Sequence, residues 1–583
     1  MSASDSFLMQ DGYHYHMVVA TSQATVSSTI YEWLRKLPQQ NYSEAYLWKE
    51  EDATATKVTP TLLKEETGAD IFSIPHDTSA TSPVIEKLIQ KGFLCAFTAE
   101  PSFKGAPASE KRPLKPGPIE FRQEGTHVHF NLICRSFSIV ALIKRGNGSW
   151  QWINIKQQLN TPWTIDLDVP LSMQKTKVPK LLKQVAPYTN NLAGNSIDMF
   201  SIKKLIMNFT DATLYSLPSI AELNPSEGIK TNVSLARVQH LLSAFAAALV
   251  QDLGKRAEAM IGFSLVADKP LDTGKGSLVP TDASFYISAH KDKNGNPTNQ
   301  YQFYTLNYLL MTMGMAMPAP RAFSWNWINP DKPSGGVIAI NRGVFALYLK
   351  DQLKESLKEI IKRPQLTITA RGGSGNVEIT NTFVNEPSQP ELIPLYTEFS
   401  PVITARCDYN NTTEASYPVT IRYQPLTLKA ALAYEVMIFV KFNDSELIFD
   451  YGLRTFYNLE ITEGEIKELF LFCTKGAARA YTIGVNTKGE LALTLKETRN
   501  ETSDYPIFPE KILRMYGGSA VQLRSALVTA MTNMLTAEHN KMIHVINQGV
   551  NWVFPGTDTF TFSNCYFSAK EDLITEINYA AIS

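Results

Sequence analysis

The residues able to do chemistry in this chain are few and scattered. Nine histidines occur in 583 residues, and only His14 with His16 and His127 with His129 lie close together. On an extended strand, residues two apart share a face, and two imidazoles on one face can begin a metal site. Neither pair has an Asp, Glu or Cys at the same alternating spacing, so a polar strand face is the simpler reading and no metal is assigned. His539 and His544 are five apart on an expected helix and fall on different sides of it. Cys95, Cys134, Cys407, Cys473 and Cys565 stand alone, with no CxxC, which argues against both a disulfide framework and a structural zinc. The nearest approach to a phosphate-binding loop, Gly274-Lys275, has Lys269 where a glycine is needed and Gly276 where a hydroxyl is needed. No GxSxG elbow, HExxH pair or EF-hand loop occurs. The carboxylates are dispersed, so no general acid–base pair can be named. These observations predict a binding protein rather than an enzyme, with no cofactor.

Apolar residues carry more information. Met311, Met313, Met315 and Met317 alternate, so on a strand they would face one side. Methionine suits surfaces that accept variable apolar shapes, and such a face fits a lipid tunnel; an ordinary buried strand face is the alternative. Phe323, Trp325 and Trp327 alternate next, bracketed by Pro318, Pro320 and Pro330. Exposed aromatics favour membrane interfaces, whereas buried ones would simply pack a core. Lys175, Lys177, Lys180 and Lys183 form a short basic cluster, either a solvated loop or, with the aromatics, an anchor to an anionic membrane.

The elements that must position these residues are mostly strands. His127 to Arg145 reads as one long strand, turning at Gly146-Asn147-Gly148 into Trp150–Ile155. Similar turns stand at Asn443-Asp444, at Asn486 to Gly489 and at Gly372 to Gly375. Many hairpins predict antiparallel sheets. Four helices interrupt them, expected near 22–37, 234–253, 342–362 and 518–547 from their apolar stripes. On these stripes Phe245 and Leu249, Phe345 and Leu349, and Met531 and Met534 are the residues expected to line an apolar ligand.

Length and charge set outer limits. A chain of 583 residues exceeds what one core usually supports. The polar stretch Asn224 to Asn232 divides it into an expected N-terminal β-rich part, 1–225, with one helix, and a C-terminal helix-plus-sheet part, 226–583. Ser102 to Pro118, rich in Pro, Gly and Lys, is expected to be an exposed loop. The formal net charge is -1, with 55 basic against 56 acidic residues, so no nucleic-acid partner is expected. No basic segment followed by an apolar one opens the chain, and no apolar run of membrane-spanning length occurs. A cytoplasmic location, or release by another route, is therefore expected.

Three segments resemble a known family. Tyr15 to Leu34, Gly336 to Leu353 and Trp552 to Tyr579, the last with its Phe-Pro-Gly turn and TFTF strand, resemble the P-forty-seven-type and OrfX-type accessory proteins of clostridial neurotoxin gene clusters. Those proteins have the tubular lipid-binding (TULIP) fold. The Lys/Pro-rich stretch Ser102 to Pro118 has no counterpart in that pattern. The resemblance implies an elongated α+β fold, β-rich, with twisted antiparallel sheets wrapped around long amphipathic helices and enclosing an apolar tube. It also implies binding of lipid, or an accessory role beside a toxin. The expected function is non-enzymatic binding of lipid or another long apolar ligand. The alternative is a structural or chaperone-like partner of a toxin or secretion assembly with no pocket.

Overall fold

The computed structural model describes residues 2–10, 12–36, 40–50, 54–101, 117–145, 147–158, 163–177, 200–217, 233–256, 259–269, 277–360, 363–370, 377–384, 391–394, 403–421, 424–463, 465–485, 491–507, 529 and 560–579, and over much of 352–507 it is the backbone course that is described. Within these residues the strand pairs run antiparallel. Strand predominates over helix, as the hairpin count predicts.

Five sheets form. The first takes strands from both ends of the chain, in the order Pro280–Ser288, Thr305–Thr312, Met17–Ser22, Gly336–Ile340, Leu573–Tyr579, Phe560–Phe567. Its central strands are buried on both faces because most of their residues are apolar, and the buried polar Asn307 is met by Thr305, Ser288 and the Tyr286 carbonyl. Met17, Val19, Leu306, Tyr308, Ile338 and Ile340 face the main interior. Val18, Ala20, Leu309, Val337 and Ala339 face a second, aromatic layer. Gly336 opens its strand where a Cβ would lie 2.5 Å from the Ala20 carbonyl oxygen.

A second sheet orders Met260–Ala267, Phe200–Met207, Thr164–Thr176, His127–Ile133 and Ile119–Glu120, and a third orders Thr54–Val58, Tyr42–Lys49, Phe93–Glu100, Ser136–Lys144 and Trp150–Lys156. The run His127 to Arg145 is therefore two strands rather than one. The chain turns at Cys134-Arg135 and passes from the second sheet to the third. The fourth, long sheet orders Glu391–Pro394, Ile403–Ile421, Gln424–Asn443, Glu446–Glu463, Glu465–Val485 and Leu491–Ile507, and a two-stranded ribbon pairs Arg363–Ala370 with Val377–Val384. The strands flanking all four expected turns pair as hairpins.

Helix α1 (Gln23–Lys36) presents Val26, Ile30 and Leu34 to the main core. Two eight-residue helices, α2 (Pro60–Thr67) and α3 (Pro83–Gln90), escape the stripe reading because two turns are too short to show a period. Their starts were nonetheless written in the sequence. Thr59 accepts the Leu62 N–H, Ser82 accepts the Ile85 N–H, and a proline follows each cap. Both helices cover the outer face of the third sheet at Phe93, Val140, Leu142 and Trp152. Helix α4 (Val233–Arg256) lies on its inner face, and α5 (Arg342–Ile360) follows the strand Gly336–Ile340. The expected helix at 518–547 falls outside the described residues, apart from position 529.

The division at 225/226 does not separate the sheets. Met17–Ser22 pairs with Thr305–Thr312 and Gly336–Ile340, and Phe200–Met207 pairs with Met260–Ala267.

Candidate functional site

The long sheet supplies a face that the sequence pattern makes apolar over its whole length. In Gln424–Asn443 the even positions read Leu426, Leu428, Ala430, Leu432, Tyr434, Val436, Ile438, Val440 and Phe442. In Glu446–Glu463 the odd positions read Leu447, Phe449, Tyr451, Leu453, Thr455, Tyr457, Leu459 and Ile461. The antiparallel register sets these two rows opposite each other, from Phe442↔Leu447 through Val436↔Leu453 to Leu428↔Ile461. Residues opposite one another share a face, so the two rows form one apolar stripe two strands wide. The alternate positions are mixed: Lys429, Glu435, Lys441, Asp450, Arg454 and Glu460 stand there among Ala431, Ala433, Met437, Phe439, Ile448 and Phe456. Lys441 and Asp450 pair at 3.3 Å on that mixed face.

The tip of the sheet shows which way the stripe faces. Val440, Phe442, Leu447, Phe449 and Tyr481 are all buried in the main interior. Phe442 stacks on Phe567 of the C-terminal hairpin with centroids 4.5 Å apart, and Phe345 of α5 lies 5.5 Å from Phe442. From there the stripe runs through 20 residues of its strand, about 65 Å at the usual rise. Helix α5 has 19 residues and extends only about 28 Å.

Of the six helix residues expected to line an apolar ligand, four are packed in the main core. Phe245 and Leu249 of α4 are buried in the main core. The Phe245 ring lies 5.4 Å from Phe97 and 6.1 Å from Phe137. Phe345 and Leu349 of α5 are buried in the same core. Met531 and Met534 lie outside the described residues.

The methionine row is not a strand face. The strand Thr305–Thr312 ends before it, and Met313 takes φ +58° in a turn with Gly314. Met311 is buried, Met313 packs on the main core, Met317 packs on the aromatic layer, and Met315 is 57% exposed. The alternation is broken because the turn rotates each residue differently.

The aromatic trio is core rather than anchor. Phe323, Trp325 and Trp327 are 0%, 2% and 3% exposed. Their rings meet one another at 4.9 to 5.5 Å, and Tyr13 stacks on Phe323 at 5.1 Å. The proline-bracketed loop thus folds down onto the outer face of the first sheet, where Val18, Ala20, Val337 and Ala339 await a cover. Lys175 and Lys177 both reach Asp268, at 2.8 and 3.1 Å. Burial pushes the Asp268 carboxyl up, but hydrogen bonds from Lys175, Ser201 and Lys177 outweigh it and bring the carboxyl down to about 2. Two of the four lysines are therefore paired with one carboxylate while remaining more than half exposed; Lys180 and Lys183 lie outside the described residues.

His14 and His16 are not a strand pair, since His14 has φ +52° and the strand begins at Met17. The Nδ1 of His16 accepts the Thr312 N–H at 3.2 Å, and burial lowers its pKa to about 4. It is a neutral structural histidine. Among the described residues no three His, Cys, Asp or Glu side chains are grouped to hold a metal ion, and no helix is long and apolar enough to cross a membrane.

No family model matches the chain, and no curated protein matches it. Solved structures do. The chain is similar to P47 from Clostridium botulinum A2, with 11% identity, 97% of this chain and 98% of that chain covered, and a TM-score of 0.41. It is similar to P47 of Clostridium botulinum E1, with 9% identity, 97% and 99% covered, and a TM-score of 0.36. It is also similar to a lipopolysaccharide binding protein, with 9% identity, 98% and 99% covered, and a TM-score of 0.31.

Proposed function

We propose that this chain is a non-enzymatic binding protein for a lipid or another long apolar ligand, held along the long sheet. The observation that supports this is the apolar stripe on Gln424–Asn443 and Glu446–Glu463, in register from one end to the other. Its length is more than twice that of α5. A stripe of this kind needs an apolar cover, and an acyl chain laid on it gains about 0.8 kcal/mol for each methylene removed from water.

The test is solvent extraction of the purified full-length chain followed by mass spectrometry, with uptake of a fluorescent fatty acid as a second readout. The parent is expected to carry or take up lipid. The double variant Val436→Asn with Leu453→Asn, a facing pair in mid-stripe, should lose it while keeping its circular dichroism. Absence of lipid from the folded parent in both assays would reject the reading. The second reading, a partner protein packed dry, is favoured by the close stacking of Phe442 on Phe567 at the tip of the stripe; it would then stand.

A further inference from the structure

On the second sheet, the face turned away from the main core carries an unfinished polar site. Val128, Phe130 and Leu132 point into the core, so His127, His129 and Asn131 share the opposite face. The neighbouring strand alternates in the same way, with Ile165, Leu167 and Val169 inward and Asp166 and Asp168 outward. The register places His129 opposite Asp168 and Asn131 opposite Asp166.

Four atoms of this group are buried with no hydrogen-bond partner: His129 Nδ1, Asn131 Oδ1, Asp166 Oδ1 and Asp168 Oδ1. Asn131 is 1% exposed and His129 is 8% exposed. The orientation of the Asn131 amide is fixed, because its Nδ2 donates to the Gly117 carbonyl at 2.8 Å and to Glu120 Oε1 at 3.3 Å. Its oxygen must then face the other way, unpaired. The second oxygen of Asp166 is occupied by the Ser216 hydroxyl at 2.6 Å. Burial, with Arg122 adding to it, lowers the pKa of His129, which keeps that ring neutral. Arg122 is itself engaged by Glu120 at 2.7 Å, and His127 stands 3.6 Å from the outer oxygen of Asp168.

All three orphaned oxygens are acceptors, and two belong to carboxylates. The group they lack is a donor with positive charge. A metal ion is disfavoured, because no three His, Cys, Asp or Glu ligands converge among the described residues. A primary ammonium has three N–H donors for three orphaned oxygens. Directly opposed residues place their Cβ atoms about 5 Å apart, which lets both pairs reach one such group. At the mouth, Tyr215 sets its ring edgewise on His129 at 4.7 Å and is 63% exposed; the Arg122 guanidinium already lies over this ring, 5.7 Å from its centroid, so the ring's contribution to a bound ammonium is as an edge wall beside His129.

We infer that the His129, Asn131, Asp166 and Asp168 face is a binding site for a primary ammonium group, carried either by a free amine or by an ethanolamine lipid headgroup. This site lies on the opposite side of its sheet from the core and does not depend on the long apolar stripe. A trimethylated ammonium has no N–H to offer and is excluded by the same chemistry.

The experiment is calorimetric titration and thermal melting of the full chain with ethanolamine, with choline at equal ionic strength as control. Saturable binding of ethanolamine and none of choline is expected. Asp168→Asn should weaken that binding by about tenfold or more, the worth of one charge-assisted hydrogen bond. Tyr215→Ala, a change at an exposed ring that leaves the fold intact, should weaken it too. Flotation with vesicles containing phosphatidylethanolamine, against vesicles of phosphatidylcholine alone, separates a headgroup from a free amine. Preference for the former assigns the headgroup, and ethanolamine binding without that preference assigns the free amine. Equal response to ethanolamine and choline, or none to either, would mean ordered water alone completes these acceptors, and the inference fails.

Discussion

Raising the pH from 4 to 8 should weaken this protein through a single carboxyl, Asp572. That residue is completely buried at the start of the last strand. Its Oδ2 accepts the Ser6 hydroxyl at 2.8 Å and the Leu8 N–H at 2.7 Å, and its Oδ1 accepts the Arg342 N–H at 3.1 Å. Burial favours the neutral acid, the donors favour the anion, and burial wins: the pKa rises from 3.8 to about 7. Between those values the native chain holds a proton that the unfolded chain has released, so stability falls as pH rises. The contribution is fully present below the unfolded pKa and is lost as pH passes through 7. Roughly three pKa units at 1.36 kcal/mol each give about 4 kcal/mol. Asp572→Asn removes the titration, though its amide must turn a donor toward one of the three N–H or O–H groups, at a cost of about 1–3 kcal/mol at every pH. The informative quantity is therefore the difference between parent and variant. Urea unfolding followed by tryptophan fluorescence at pH 4, 5, 6, 7 and 8 should show that difference moving by about 4 kcal/mol in favour of the variant as pH rises. Glu571, also pushed up by burial beside Arg342, is present in both proteins and drops out. A constant difference across the range would show that Asp572 is ionised throughout and that its donors outweigh burial.

Other expectations are open to similar measurement. Trp325→Ala should cost about 3–5 kcal/mol, as for other buried aromatics, and leave vesicle flotation unchanged; Trp325→Phe should cost far less, because the buried indole N–H has no partner to lose. His16, lowered to about 4 by burial, acts in the opposite sense to Asp572: its contribution is full above 6.5 and is lost as pH falls toward 4, so His16→Gln should flatten the acid limb of the stability curve. Thr59→Ala should remove about 1 kcal/mol by uncapping α2, visible as faster amide exchange at Leu62 and Leu63.

Helices α1, α4 and α5 and the hairpins were legible in the sequence because their signals are local. The stripe Val26, Ile30, Leu34 and the turn at Asn443-Asp444 each lie within one element. What was not legible depended on residues far apart in the chain. Cys134-Arg135 carries no turn residue, and the mark of the change of sheet is a shift of the core-facing positions from even (Val128, Phe130, Leu132) to odd (Phe137, Ile139, Ala141, Ile143). Phe323, Trp325 and Trp327 look like a projecting loop beside their prolines, and only Tyr13 and the doubly apolar strand Met17–Ser22 reveal a surface that needs covering. His127 and His129 seemed to lack acidic company, since Asp166 and Asp168 arrive from a strand nearly forty residues on. The alternation of Asp with Ile, Leu and Val in Thr164–Thr176 was the available signal. The long stripe was readable as well, in the even positions from Leu426 to Phe442, but pairing it with Leu447 to Ile461 required the register.

The chain ends and the apolar stripe meet at one junction. Helix α5 begins at Arg342, whose N–H is held by Asp572, with Asn341 accepting the next two N–H groups. One turn later Phe345 touches Phe442 and Phe567, the point at which the stripe enters the main interior. The segment Ser6 to Leu8 is tied to the same carboxylate, and Ser568 returns a hydrogen bond to the Ser6 carbonyl. The direction in which α5 leaves this junction is therefore set by a carboxyl that receives donors from both the N-terminal segment and the helix itself.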